Sequence, residues 1–332
     1  PLIKLNRAFV YQGLKVASKR NNLGLKTLVD HSRIRKKLST YEVGYVLGPK
    51  INAGGRIGKS ELGYNLLTTH DAETAYLISS ELDSLNLKRK ELERNIVEEA
   101  INLAERIDKD PILFLVKKDW HEGLIGIVAS RLKDHFNKPT FIITQNGDVC
   151  KGSARSIFGF DIGLAITKCK QLNLIIKGGG HPMAGGFSLE NQNLDFFKNE
   201  LINIFNKFHK NLDSDRLFQI DSFIESTAVN ENLLDKINFL EPFGSGNKEP
   251  VFALEDFKVS RVIETNNNHV KVVLHKGNTY LNAICFNSKN KDIGNYLMNY
   301  KKSFNIAGKV KLNEWNGKSS VELIIDDIHL IY

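Results

Sequence analysis

Apolar positions along this 332-residue chain change their period several times, and each change marks a different kind of structure. Over residues 1–40 the spacing is helical, at Leu14, Val16, Leu23, Leu25, Leu28 and Val29, with a turn at Arg20-Asn21-Asn22-Leu23-Gly24. Residues 41–60 show no period, and their glycines predict an irregular, flexible stretch. From Asp71 to Asp108 the residues Ile78, Leu82, Leu85, Leu92, Ile96, Ala100, Leu103 and Ile107 recur at three, four or seven. Glu and Lys fill the positions between them, which predicts one amphipathic helix on the order of 50 Å long. Such length exceeds what one globular domain needs, so this helix is expected to bridge two; Pro111 ends it.

The next hundred residues alternate. Short apolar runs at 112–116, 140–144 and 184–189 predict strands, and helical patterns cover 123–136, 163–172 and 194–208. Alternation of this kind argues an α/β domain, with its sites at strand or helix ends. Beyond a polar seam at 210–215 the pattern turns to β-rich runs at 257–263, 270–274, 280–285, 304–310 and 321–331. Turn residues at Lys276-Gly277-Asn278 and 313–317 separate them, which predicts a small Greek-key barrel of OB type, a fold that commonly binds single strands. The fold class is therefore α/β plus all-β.

Composition adds limits. With 42% apolar and 25% charged residues the chain reads as globular, and no apolar run is long enough to span a membrane. Cys150, Cys169 and Cys285 are too few and scattered for a disulfide framework or a zinc site, so a reducing cytoplasm is expected. The opening Pro1-Leu2-Ile3-Lys4 reads like the interior of a domain, and a truncated or processed N-terminus is expected. Net charge is +8, but residues 1–70 hold 13 Lys and Arg against 3 Asp and Glu, whereas 71–110 hold 6 against 11. A local basic excess points to a polyanion such as nucleic acid; the alternative is a solvated lysine-rich face.

Two segments carry the chemistry. In Gly152-Ser153-Ala154-Arg155-Ser156 and Lys177-Gly178-Gly179-Gly180-His181-Pro182, consecutive glycines let the backbone take φ > 0 and present N–H groups. Arginine and histidine add charge-assisted donors, and together Ser153, Arg155, Gly178, Gly179, Gly180 and His181 predict a phosphate grip. A plain tight turn and a core histidine are the bland alternatives. His121, in Trp120-His121-Glu122-Gly123, either faces a phosphate or caps the helix that follows; alone, the cap is favoured. Asn52 and Arg56 offer donors from the glycine-rich stretch. Residues 53–60 approximate a P-loop, and Leu323-Ile324-Ile325-Asp326 could pose as its acidic strand. Ala53 replaces the first glycine, however, and bulky Arg56 sits where backbone would wrap a phosphate, which disfavours an NTPase. Residues 241–250 read as a structural turn. No Asp/His/Cys set has metal-ligand spacing.

Five segments in this order, 48–56, 120–129, 152–161, 178–186 and 241–252, resemble the RecJ single-strand-specific exonucleases of the DHH phosphoesterase superfamily. The resemblance covers essentially the whole chain. Departures are mild: Lys50 and Lys248 stand where an arginine and a proline are expected, and Gly54 where alanine is usual. It implies a remnant of a DHH domain over 1–70, a connecting helix over 71–110, a DHH-associated domain over 111–212 and an OB-like domain over 213–332. It further implies that Arg56, His121, Ser153, Arg155 and His181 hold the phosphate backbone of single-stranded DNA during 5′→3′ hydrolysis. By family the metals are Mn²⁺ or Mg²⁺, bound by upstream Asp and His residues absent from this sequence, which has no Asp-His-His. The chain is therefore expected to bind strands but to be inactive alone. The family also implies a single-strand-binding protein and a helicase as partners. The alternative is a non-catalytic single-strand-binding relative.

Overall fold

Asn22 shows how local chemistry sets the first elements: its side chain accepts from the Leu25 N–H at 2.8 Å, separating helix α1 (Lys4–Ser18) from α2 (Leu23–His31). The computed structural model describes residues 1–107, 110–208, 218–264, 268–299, 301–315 and 318–331. The 41–60 stretch is not irregular. A π-helical turn (Glu42–Leu47) runs into α3 (Gly48–Ile57), with Pro49 in its first turn, where a missing N–H costs nothing. Its glycines serve close packing, since a Cβ on Gly54 would lie 2.9 Å from the Lys59 carbonyl oxygen and 3.3 Å from Leu82 Cδ2. This geometry also removes the P-loop reading. Residues 53–57 end a helix entered from another helical turn, so no strand-to-loop cradle forms, and residues 323–326 belong to the C-terminal sheet.

Helix α4 (Leu62–Thr68) precedes α5 (Ala72–Glu105), which Asp71 caps by accepting from the Thr74 N–H at 2.7 Å. The 34 residues of α5 match the predicted long helix, though Asp108 lies outside the described residues. Its first half packs on α2, α3 and α4. Its second half, through Ile96, Ala100 and Ala104, packs on the α/β layer.

That layer holds β1 (Leu113–Lys118), α6 (Ile125–Phe136), β2 (Thr140–Asn146), β3 (Val149–Arg155), α7 (Ile162–Gln171), β4 (Lys177–His181), β5 (Ala184–Glu190) and α8 (Leu194–Phe208). Strand order is β1-β2-β3-β5-β4; only β1–β2 is parallel. One face packs Leu113, Leu115 and Ile142 under α5 and α6, and the other packs Phe114, Phe141 and Phe187 under α7 and α8. Strands β3 and β4 are departures from expectation: both phosphate motifs are themselves strands. None of Gly178, Gly179 and Gly180 has positive φ, so the left-handed turn expected there does not exist. The polar seam at 210–215 lies outside the described residues.

Strand β6 (Ser222–Phe223) and α9 (Glu231–Asn238) lead into β7 (Phe252–Glu264), β8 (Val270–Lys276), β9 (Thr279–Cys285), α10 (Asp292–Asn299), β10 (Phe304–Trp315) and β11 (Lys318–Leu330). The order β10-β11-β9-β8-β7 closes through β10–β7 pairing into a five-stranded barrel, with β9–β11 parallel and Phe257, Leu274 and Phe304 inside. The two-residue turn between β8 and β9 needs the left-handed conformation of Gly277, φ +56°. Contacts divide the chain into two compact units, residues 17–214 and residues 1–16 with 215–332.

Candidate phosphate-binding site

Alternation along β3 builds the site. Cys150, Gly152 and Ala154 are buried, whereas Lys151, Ser153 and Arg155 lie on the opposite face. Register carries that face across the sheet: Ser153 pairs with Gly186 and Gly186 with Gly179, while Arg155 pairs with Ala184 and Ala184 with His181. Partners in register share a face, so Ser153, Arg155 and His181 surround a floor of Gly179, Gly186 and Ala184. His181 stands two strands from Arg155, roughly 10 Å by strand spacing. Gly178 and Gly180 are different. A Cβ on Gly178 would meet Ile175, Phe187 and Ile166 side chains at 2.8, 2.9 and 3.0 Å, and one on Gly180 would lie 2.3 Å from the Ala184 carbonyl oxygen. Packing alone requires glycine at both, and only Gly179 faces open space.

Helix α6 walls the same face. A Cβ on Gly126 would sit 3.0 Å from Ser153 Oγ and 3.3 Å from Arg155 Nη2, so the first turn of α6 packs closely against the serine and the arginine. Helix α3 delivers Arg56, whose Nη1 donates to the Gly123 carbonyl at 3.0 Å. Asn52 stands one helical turn earlier, exposed on the same side of α3. The His121 ring accepts at Nδ1 from the Gly123 N–H at 3.1 Å, which leaves Nε2 to carry the ring proton as a donor. His121 thus braces the turn before α6 without capping the helix, whose N-cap is Leu124 with no side-chain cap bond, and it leaves Nε2 unused among the described residues.

Electrostatics single out the arginines. Burial, then the adjacent Arg56 charge, pulls the Arg155 guanidinium below its ordinary pKa. Arg155 donates to the Ala154 carbonyl at 2.8 Å and Ser153 Oγ at 3.3 Å; among the described residues neither arginine has a carboxylate partner. Two interacting positive charges without a carboxylate partner could hold an anion. Glu122 does not fill it, because Lys151 Nζ at 2.6 Å and Asn146 Nδ2 at 2.7 Å engage its carboxylate. The hydrogen bond from Lys151 leads in holding Glu122 below its usual pKa.

The structure thus brings Arg56, His121, Ser153, Arg155, Gly179 and His181 into one unit, and Asn52 to its edge. Sequence reasoning missed Gly126 and Gly186, because only the packing of α6 on β3 and the cross-strand register of β5 bring them to Ser153 and Arg155. Among the described residues no group of three or more His, Cys, Asp or Glu side chains comes together that could hold a metal ion. Nor is any described helix long and apolar enough to cross a membrane.

Residues 109–207 match the DHHA1 domain family and residues 220–327 the RecJ OB domain family. The single-stranded-DNA-specific exonuclease RecJ of Haemophilus influenzae is 32% identical over all of this chain and 59% of its own length. Its Bacillus subtilis counterpart is 30% identical over 98% of this chain and 42% of its own length. The crystal structure of RecJ with Mn²⁺ from Thermus thermophilus superposes with a TM-score of 0.86 at 26% identity, covering all of this chain and 48% of that one. The chain thus spans between about two fifths and three fifths of the length of these relatives. In sequence along its whole length, and in both of its recognised domains, it belongs to the RecJ family of DHH proteins.

Proposed function

We propose that these residues form the strand-holding part of a RecJ-type single-stranded-DNA exonuclease acting 5′→3′. The observation that carries this reading is that Arg56 and Arg155, whose charges interact, have no carboxylate partner among the described residues, with Arg155 on the sheet face of Gly179 and Gly186. The guanidiniums donate to one phosphate of the strand, the Ser153 hydroxyl and His121 Nε2–H add neutral donors, and Gly179 and Gly186 let the backbone of the strand approach. His181 and Asn52 contact the strand on either side. The same donors stabilise charge that builds on the phosphate when it is attacked. Water activation by a divalent metal is supplied by residues of the longer protein, outside these 332. Single-strand-binding protein and a helicase are its proposed partners, and a reducing cytoplasm suits three free, buried cysteines.

Binding of 5′-labelled single strands by this chain, followed by anisotropy at two salt concentrations, tests the grip. Arg56→Ala and Arg155→Ala should each weaken binding by about 1–3 kcal/mol and flatten the salt dependence. Unchanged affinity in both would remove the assignment. With Mn²⁺ added, the chain should bind without digesting the strand; robust digestion overturns the division of labour.

A further inference from the structure

Asp119 takes a left-handed conformation, φ +68°, uncommon for a residue with a side chain, and turns the chain sharply after β1. Trp120 follows and is 4% exposed, packed with Leu124, Ile125 and Val128. Its indole Nε1–H points at α5 and donates to Glu99 Oε2 at 2.8 Å. The other oxygen of Glu99 receives Lys117 Nζ at the end of β1. One carboxylate on the long helix therefore ties down both sides of the turn that presents His121. From His121 the fixed path continues: the Gly123 N–H donates to the ring, and the Gly123 carbonyl holds Arg56. The turn has no slack, because a Cβ on Gly123 would lie 2.3 Å from the Arg56 carbonyl oxygen.

From this geometry we infer that Glu99 is a positioning residue for the phosphate grip: through Trp120 it sets the orientation of the His121 ring and of the carbonyl that aims Arg56. The inference rests on the strand-holding reading of the site. The indole is buried and has one acceptor. Loss of either the acceptor or the donor unties the turn from α5, and the turn is then free to rotate. The path from Glu99 to Arg56 lies entirely within residues 17–214.

The test compares Glu99→Ala, Glu99→Gln, Trp120→Phe and Arg155→Ala in the full 332-residue chain. Readouts are affinity for a 5′-phosphorylated oligodeoxythymidine, thermal unfolding, and the ¹⁵N shifts of the His121 imidazole, which report its tautomer. Glu99→Ala should lose affinity by on the order of tenfold and mix the His121 tautomers, whereas Glu99→Gln, which keeps an acceptor for the indole, should restore both. Trp120→Phe, which removes the donor instead, should resemble Glu99→Ala and add little to it in the double variant. If Glu99→Ala fails to fold, Trp120→Phe and Glu99→Gln carry the same comparison. Arg155→Ala weakening binding while Glu99→Ala and Trp120→Phe leave affinity and the His121 shifts unchanged overturns the positioning role alone. Unchanged affinity in Arg155→Ala overturns the strand-holding reading instead.

Discussion

Taking away one of two guanidiniums whose charges interact has two opposite effects. Arg155→Ala removes the donor that the strand needs, and it also removes a half-buried cation that Arg56 repels. Affinity should therefore fall while the melting temperature holds or rises, the trade-off of a strained binding site. A loss of both would mean that Arg155 serves the fold rather than the strand. Cys169 gives the residue scale a pH dependence. Burial first, then the Glu200 charge, pushes its thiol from 9.0 up to about 12. Between those values the unfolded chain releases a proton that the folded chain keeps. This contribution is whole below pH 9 and is lost as pH rises toward 12, by at most roughly 4 kcal/mol. Denaturant titrations over that window should show a shallower decline for Cys169→Ala; identical slopes would refute the burial argument. Individual donors were readable in the sequence because Arg56, Ser153, Arg155 and His181 carry their chemistry in their side chains. Their mutual placement was not, because Arg56 meets Gly123 across 67 positions.

At the scale of elements, glycine was read for the wrong reason. Three in a row suggested a left-handed turn, yet β4 is an extended edge strand whose glycines answer to what lies above and below. Alternation makes the difference testable. Gly178→Ala drives a methyl into Ile175, Phe187 and Ile166 and should cost about 1–3 kcal/mol of stability. Gly179→Ala meets nothing, so it should leave unfolding unchanged and weaken strand binding by roughening the floor. Chemical denaturation and anisotropy on the same pair check this, and the reverse pattern would exchange the faces of the strand. The long helix, the barrel strands and α8 were legible because their periods are long or their runs apolar. Strands β3 and β4 were not, since glycine, serine and lysine have low strand propensity and only cross-strand pairing makes them strands. In α3, helix–helix packing likewise overrides the two glycines at 54 and 55.

At the scale of the whole molecule, the first residues fold with the last third. The Leu2 N–H donates to the Ser245 carbonyl, and Arg7 Nη2 donates to the carbonyls of Leu240 and Glu241, both at 2.9 Å. A Cβ on Gly244 would lie 2.8 Å from Leu2 Cδ1, which explains part of the glycine-rich turn at 241–250 that the sequence marks as structural. Arg7→Ala should therefore lower amide protection in the barrel unit by about 1–3 kcal/mol and leave residues 17–214 unaffected. Hydrogen exchange resolved by residue checks this, and equal loss in both would show one cooperative block. No local period announces such a pairing, because its partners stand more than 230 positions apart.

The split unit has a consequence for synthesis. Residues 1–16 leave the ribosome before their partners at 240–246, which follow only after roughly 200 more residues, about 10–40 s at ordinary elongation rates. During that interval residues 17–214 can complete their own core, while Leu5, Phe9 and Tyr11, exposed even in the finished structure, wait beside an Arg7 that lacks its carbonyl acceptors. Residues 17–214 can therefore be folded before the unit to which residues 1–16 belong is closed, and until 240–246 emerge this segment is open to a chaperone or a protease.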